Sequence, residues 1–106
     1  MSQPVIIDFA KLGGPVFTGR TRGEELRKIL SVEELDDTDT AVEVKIPDST
    51  YAVSSSFILG LFGKSVVRAG TKQDFYKKYK FTSNLMFKDI IDSCVTRALQ
   101  EKRILA

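Results

Sequence analysis

The 106-residue chain contains no histidine and a single cysteine, Cys94. Without an imidazole it has neither Ser–His nor Cys–His nucleophile activation, and it lacks the commonest metal ligand. A lone cysteine cannot close an internal disulfide. No basic segment followed by an apolar one opens the sequence, and no apolar run reaches the roughly 20 residues that span a bilayer. A reduced, cytoplasmic setting with no membrane association is therefore expected. Charge of one sign is also not in excess. Sixteen Lys and Arg against 14 Asp and Glu leave a formal net charge of +2, too little by itself to imply nucleic acid or a membrane surface. There is no internal repeat, no low-complexity tract and no linker. The length suits one domain, residues 1–106, with one core.

What is present reads as an ordinary globular composition, 42% hydrophobic and 28% charged, in which pattern matters more than bulk. Val5-Ile6-Ile7-Asp8-Phe9 is β-branched and aromatic and reads as a strand. Gly13-Gly14-Pro15 signals a turn, after which Pro15-Val16-Phe17 begins a short return strand. Thr21-Arg22-Gly23-Glu24 has capping-box spacing, and the helix behind it is expected to bury Leu26, Ile29 and Leu30 while exposing Arg27 and Lys28. The acidic stretch Glu33, Glu34, Asp36, Asp37, Asp39 reads as a solvated loop or helix face. Val42, Val44 and Ile46 alternate with Glu43 and Lys45, the pattern of a strand with one wet face. A helix follows from about Ser56 to a Gly70 C-cap, then a short polar helix from Thr71, then a strand at Lys80-Phe81-Thr82.

The last helix has the clearest periodicity. Phe87, Ile90, Ile91, Cys94, Val95, Ala98 and Leu99 form one apolar stripe, with Ser83 and Asn84 as candidate caps. Cys94 on that stripe is expected to be a buried small hydrophobe, not a reactive thiol. Strands alternating with helices predict an α/β fold, its helices mainly on one face of the sheet.

Several patterns carry candidate chemistry. Gly63-Lys64-Ser65 imitates the end of a phosphate-binding loop, but that loop requires glycine where Ile58 stands. Gly60 and Gly63 are instead expected to admit close helix packing. Asp89 and Asp92 are paired carboxylates on a polar helix face, with no second acidic pair to complete a metal site. Tyr76, Tyr79 and Phe81 interleave with Lys77, Lys78 and Lys80. Segment 72–81 is thus the basis of an alternative reading, a nucleic-acid-associated binding module. No catalytic residue, metal or cofactor is expected.

The triple serine is the most distinctive feature. Ser54-Ser55-Ser56 lies at a strand-to-helix junction, where one hydroxyl suffices as a cap and first-turn N–H groups suit a phosphate. Ser54 is assigned the cap. Ser56 is the first phospho-acceptor candidate and Ser55 the second.

Val53-Ser54-Ser55-Ser56-Phe57, followed by Leu61-Phe62-Gly63, resembles the signature of bacterial and archaeal STAS-like domains of unknown function, relatives of the anti-sigma-factor antagonists. The resemblance covers roughly residues 5 to 103. It implies a small mixed β-sheet with packed helices, and a regulatory role without catalysis. In the antagonists an Asp-Ser-Ser-Gly stretch opens the second helix, and a partner of the histidine-kinase-like ATPase fold, an anti-sigma factor, phosphorylates its second serine. On this chain Ser54 takes the Asp position, Ser55 the first serine, Ser56 the phospho-acceptor and Phe57 the Gly. The Phe57 bulk makes Phe57, with Ser55 and Ser56, the implied contact surface for a protein partner.

Overall fold

The computed structural model describes residues 4–105. Strand β1 (Val5–Asp8) ends in a 3-10 turn at Phe9–Lys11, because Asp8 Oδ1 accepts from Ala10 N at 3.0 Å and so stops the extended run. Strand β2 (Val16–Phe17) leads into α1 (Arg20–Ile29) and α2 (Val32–Asp36). Strands β3 (Val42–Lys45) and β4 (Ala52–Val53) precede α3 (Ser55–Ala69) and α4 (Lys72–Lys78). Strand β5 (Tyr79–Thr82) and α5 (Leu85–Leu105) close the fold.

The α/β class stands. Strands β1, β3 and β5 form one sheet in that order, and β2 pairs with β4 in a second. Every pairing among the described residues is parallel, where a mixed sheet was expected. The Pro15-Val16-Phe17 segment is accordingly not a return strand on β1. The 3-10 turn and the Gly13-Gly14-Pro15 bend carry it to β4 instead, with Val16 opposite Ala52 and Phe17 opposite Val53.

Strand order and burial agree on the layering. The order β1-β3-β5 progresses in one direction, so crossovers of the right hand that parallel strands favour set the connecting helices on one face. The register aligns Val5, Val42 and Tyr79, then Ile7, Val44 and Phe81. Val42 and Val44, in the central strand, are fully buried. The alternate positions Ile6, Glu43 and Lys80 point to the other face, where Ile6 and Lys80 are exposed and Glu43 half-buried.

Helix α3 is the central helix and packs against α1 through two glycines. A Cβ on Gly23 would lie 2.2 Å from Phe57 O, and one on Gly60 would lie 2.3 Å from Arg20 O. The two backbones are therefore in direct contact. Gly63 meets nothing within 4 Å, so only Gly60 has the packing role expected of both.

This contact also sets the rotation of α1. Gly23, Leu26, Arg27 and Leu30 follow the i, i+3, i+4, i+7 spacing of one face, and that face turns inward. Ile29 falls outside it and is 74% exposed, contrary to the sequence reading, while Arg27 is drawn inside. The capping box is not formed either. Gly19, at φ 89°, is the N-cap, and Thr21 and Glu24 lie within the helix.

Two aromatic groups fill the core. Phe9, Phe17 and Phe57 meet with ring centroids 4.9 to 6.0 Å apart. Phe62, Phe75, Tyr79 and Phe81 form the second group at 5.1 to 6.3 Å. Burying each such ring stabilises the fold by about 1.5–3 kcal/mol.

Candidate functional site

Chain direction places the serines. Helices α1 and α3 each return the chain from the carboxyl end of one parallel strand to the start of the next, so both begin at the carboxyl end of the sheet. Helix α5 follows β5 and begins there too, capped by Asn84 Oδ1, which accepts from Phe87 N at 3.0 Å. In open α/β sheets this end is where ligands bind.

Ser54 caps α3 as expected. It has an extended backbone, and its Oγ accepts from Phe57 N at 3.1 Å. The same oxygen accepts from Gly19 N at 3.2 Å, so it also fixes the start of α1, which has no side-chain cap of its own. Ser54 Oγ and Ser56 Oγ are 3.2 Å apart. A hydroxyl offers two lone pairs and one proton. With both lone pairs of Ser54 taken, its own proton is the one left for Ser56 Oγ.

Ser55 and Ser56 are both exposed in the first turn of α3. Ser55 O faces the other way and meets Cys94 Sγ on α5 at 3.5 Å. Cys94 itself is buried, and desolvation raises its thiol pKa, which suppresses the reactive thiolate.

Phe57 requires a correction. It is fully buried between Phe9 and Phe17 and offers no contact surface. At the third position of a helix packed against a sheet, this side chain points inward, and the apolar ring completes the core. Exposed apolar side chains come from elsewhere. Tyr51, 80% exposed, precedes β4, and Val16 lies beside it on β2. Leu85, 78% exposed, and Met86 form the first turn of α5. Asn84 Nδ2 reaches Asp48 Oδ1 at 3.4 Å, which ties the start of α5 to the loop that carries Tyr51. Nothing in the spacing of these four residues distinguished them from core positions.

A second polar assembly escaped the sequence reading. Asp36, at the end of α2, was read as part of a solvated acidic stretch, yet its side chain is only 4% exposed. Arg27 Nη2 lies 3.1 Å from Asp36 Oδ2, and Ser65 Oγ donates to the same oxygen at 2.6 Å. The Tyr79 hydroxyl donates to Asp36 Oδ1. Arg27 Nη1 completes the cluster by donating to Leu61 O at 2.9 Å and Ser65 Oγ at 2.8 Å. The available signal was Arg27 itself, at helical spacing from Gly23 and Leu30 on the inward face.

The aromatic and basic segment 72–81 is largely occupied with its own packing. Phe75 and Tyr79 are buried, while Tyr76 and Phe81 are half-buried against the core. Lys72 pairs with Asp92 at 3.0 Å, and Lys78 donates to Thr38 O and Thr40 O. The Tyr76 hydroxyl donates to Asp92 Oδ1 at 3.1 Å. Lys80 points outward from the sheet. The rings therefore do not form an open stacking platform.

Among the described residues no helix is long and apolar enough to cross a membrane. Comparison with protein-family models, with curated proteins and with solved structures found no match to this chain.

Proposed function

We propose that this chain is a cytoplasmic, non-catalytic STAS-like regulatory domain that acts by binding another protein, and that phosphorylation of Ser56 switches the binding. The observation that carries this reading is the division of labour among the serines. Ser54 is spent on two helix starts, whereas Ser56 is exposed and its hydroxyl meets Ser54 Oγ alone among the described residues. Ser55, also exposed, is the second acceptor. Exposed Leu85 and Met86 in the first turn of α5, with exposed Tyr51 and Val16, supply apolar area for a protein contact.

A phosphate on Ser56 adds about −1.5 to −2 charge where first-turn N–H groups and the helix dipole favour it. The partner would then meet an anion in place of a neutral hydroxyl. A kinase-type anti-sigma factor with the histidine-kinase-like ATPase fold is the partner class that the serine motif suggests.

The test is to incubate the chain with ATP and each such ATPase encoded near it, then map modification by mass spectrometry and measure complex formation. Modification at Ser56, its loss in Ser56→Ala, and weakened binding by Ser56→Asp are expected. Absence of modification with every partner, together with unchanged binding by Ser56→Asp, would sink the switch.

A further inference from the structure

Residues 31–40 are held down by side chains from four elements, α1, α3, α4 and β5, and by Val32, which is fully buried in the core. Arg27 of α1, Ser65 of α3 and Tyr79 of β5 all donate to the Asp36 carboxylate. Arg68 of α3 pairs with Asp37, and Lys78 of α4 donates to the carbonyls of Thr38 and Thr40 at 2.6 and 3.0 Å. At the other end of the segment Ser31 has φ 54° and ψ 43°, a left-handed conformation. A non-glycine residue keeps that conformation only where its surroundings impose it.

We propose that residues 31–40 form a strap that swings about Ser31. The site it uncovers, built by Arg27, Ser65 and Tyr79 and flanked by Arg68 and Lys78, binds a phosphate-class oxyanion in place of Asp36. The donor set is that of an anion site: two guanidinium groups, one ammonium and two hydroxyls, drawn from four separate elements. Asp36 and Asp37 together bring the charge of a phosphate dianion, so the strap is an internal stand-in for the ligand. A cavity of about 210 Å³ already opens beside Asp36, lined by Ser65, Arg68, Lys78 and Tyr79. Apart from Asp36 itself, Asp74 is the acidic residue of the lining, and Lys77 lies 4.0 Å from it.

Burial of the Arg27–Asp36 pair supports a switching role over a purely stabilising one. Arg27 and Asp36 side chains are 11% and 4% exposed. A buried ion pair gives little net stability compared with apolar residues of the same volume, and its best-attested use is to select between states. The site is independent of Ser56, so its test does not depend on the phosphorylation reading.

The full chain is titrated with inorganic phosphate, and separately with glycerol 2-phosphate, with chloride holding the ionic strength constant. Hydrogen exchange of residues 32–40 and thermal stabilisation are followed. Saturable binding is expected, with faster exchange confined to 32–40 while α3 and α5 keep their protection. Ser31→Val places a β-branched residue in the left-handed region and favours the open strap without touching the site. Its apparent phosphate affinity is expected to rise in proportion to the open fraction, about tenfold for a tenfold larger population. Arg27→Lys keeps the charge but not the forked geometry and is expected to lose binding, with the fold checked by circular dichroism. Arg68→Gln at the exposed rim serves if Arg27→Lys does not fold, and weaker binding is expected. Response to both anions assigns the site to the oxyanion itself, and response to glycerol 2-phosphate alone assigns it to a phosphomonoester. No response in wild type and Ser31→Val, an equal response to chloride, or affinity unchanged by the arginine variants overturns the proposal.

Discussion

Because Ser54 Oγ accepts from both Gly19 N and Phe57 N, replacing Ser54 by Ala leaves two N–H groups at adjoining helix starts without that partner. Loss of an N-cap costs about 0.5–2 kcal/mol, and the double role places Ser54→Ala toward the upper end. Ser55→Ala and Ser56→Ala are exposed substitutions expected to stay within about 0.5 kcal/mol of wild type. Urea unfolding of the three variants checks the ordering. Tyr79 makes a second prediction at this scale. Burial, then its hydrogen bond to Asp36, raises its phenol above the ordinary value of 10.0. Tyr76 is raised by burial and by the neighbouring Asp92 charge. In each case the folded state holds the proton more tightly than the unfolded one. The resulting stability is present below pH 10 and falls as pH rises beyond it, where the unfolded phenol ionises first. Thermal melts from pH 8 to 11 are expected to show that fall, and Tyr79→Phe is expected to flatten it.

At the scale of elements, the glycines of α3 separate two effects that sequence alone cannot. Gly60→Ala drives a methyl into Arg20 O and must push α1 away, at about 1–3 kcal/mol for overpacking. Gly63→Ala meets open space inside the same helix and is expected to stabilise by about 0.4–1 kcal/mol through the unfolded state. Denaturant midpoints moving in opposite directions are the check. The same contact explains what was legible beforehand. The stripe of α5, the alternation of β3 and the Gly70 cap follow from local periodicity and were readable directly. The rotation of α1 was not, because Gly23 carries no hydrophobic side chain to mark it as the inward face. Asp36 was missed for a related reason. Its burial depends on Arg27, Ser65 and Tyr79 arriving from three distant elements. At the candidate site, Ser54 as cap and the exposure of Ser55 and Ser56 could be read from the strand-to-helix junction. The burial of Phe57 and the exposure of Tyr51, Leu85 and Met86 required the chain path.

Across the whole molecule, the parallel arrangement sends α1, α3 and α5 off from one end of the sheet, which concentrates hydroxyls and exposed apolar side chains there. Among the described residues it also leaves no strand paired with its neighbour in the chain. Val5 meets Val42, and Val42 meets Tyr79, each across intervening helices. Every rung of the sheet must therefore close a long loop before it returns any stabilisation, and no hairpin can serve as a starting point. Refolding monitored by stopped-flow circular dichroism is expected to fall toward the slow, millisecond-to-second end for a domain of this size. In chain order β3 has only β1 to hold it until β5 is available, so the three-stranded sheet closes with residues 79–82. A truncation before β5 would leave the β3 edge at Val42 and Val44 bare, the edge that β5 covers by parallel pairing.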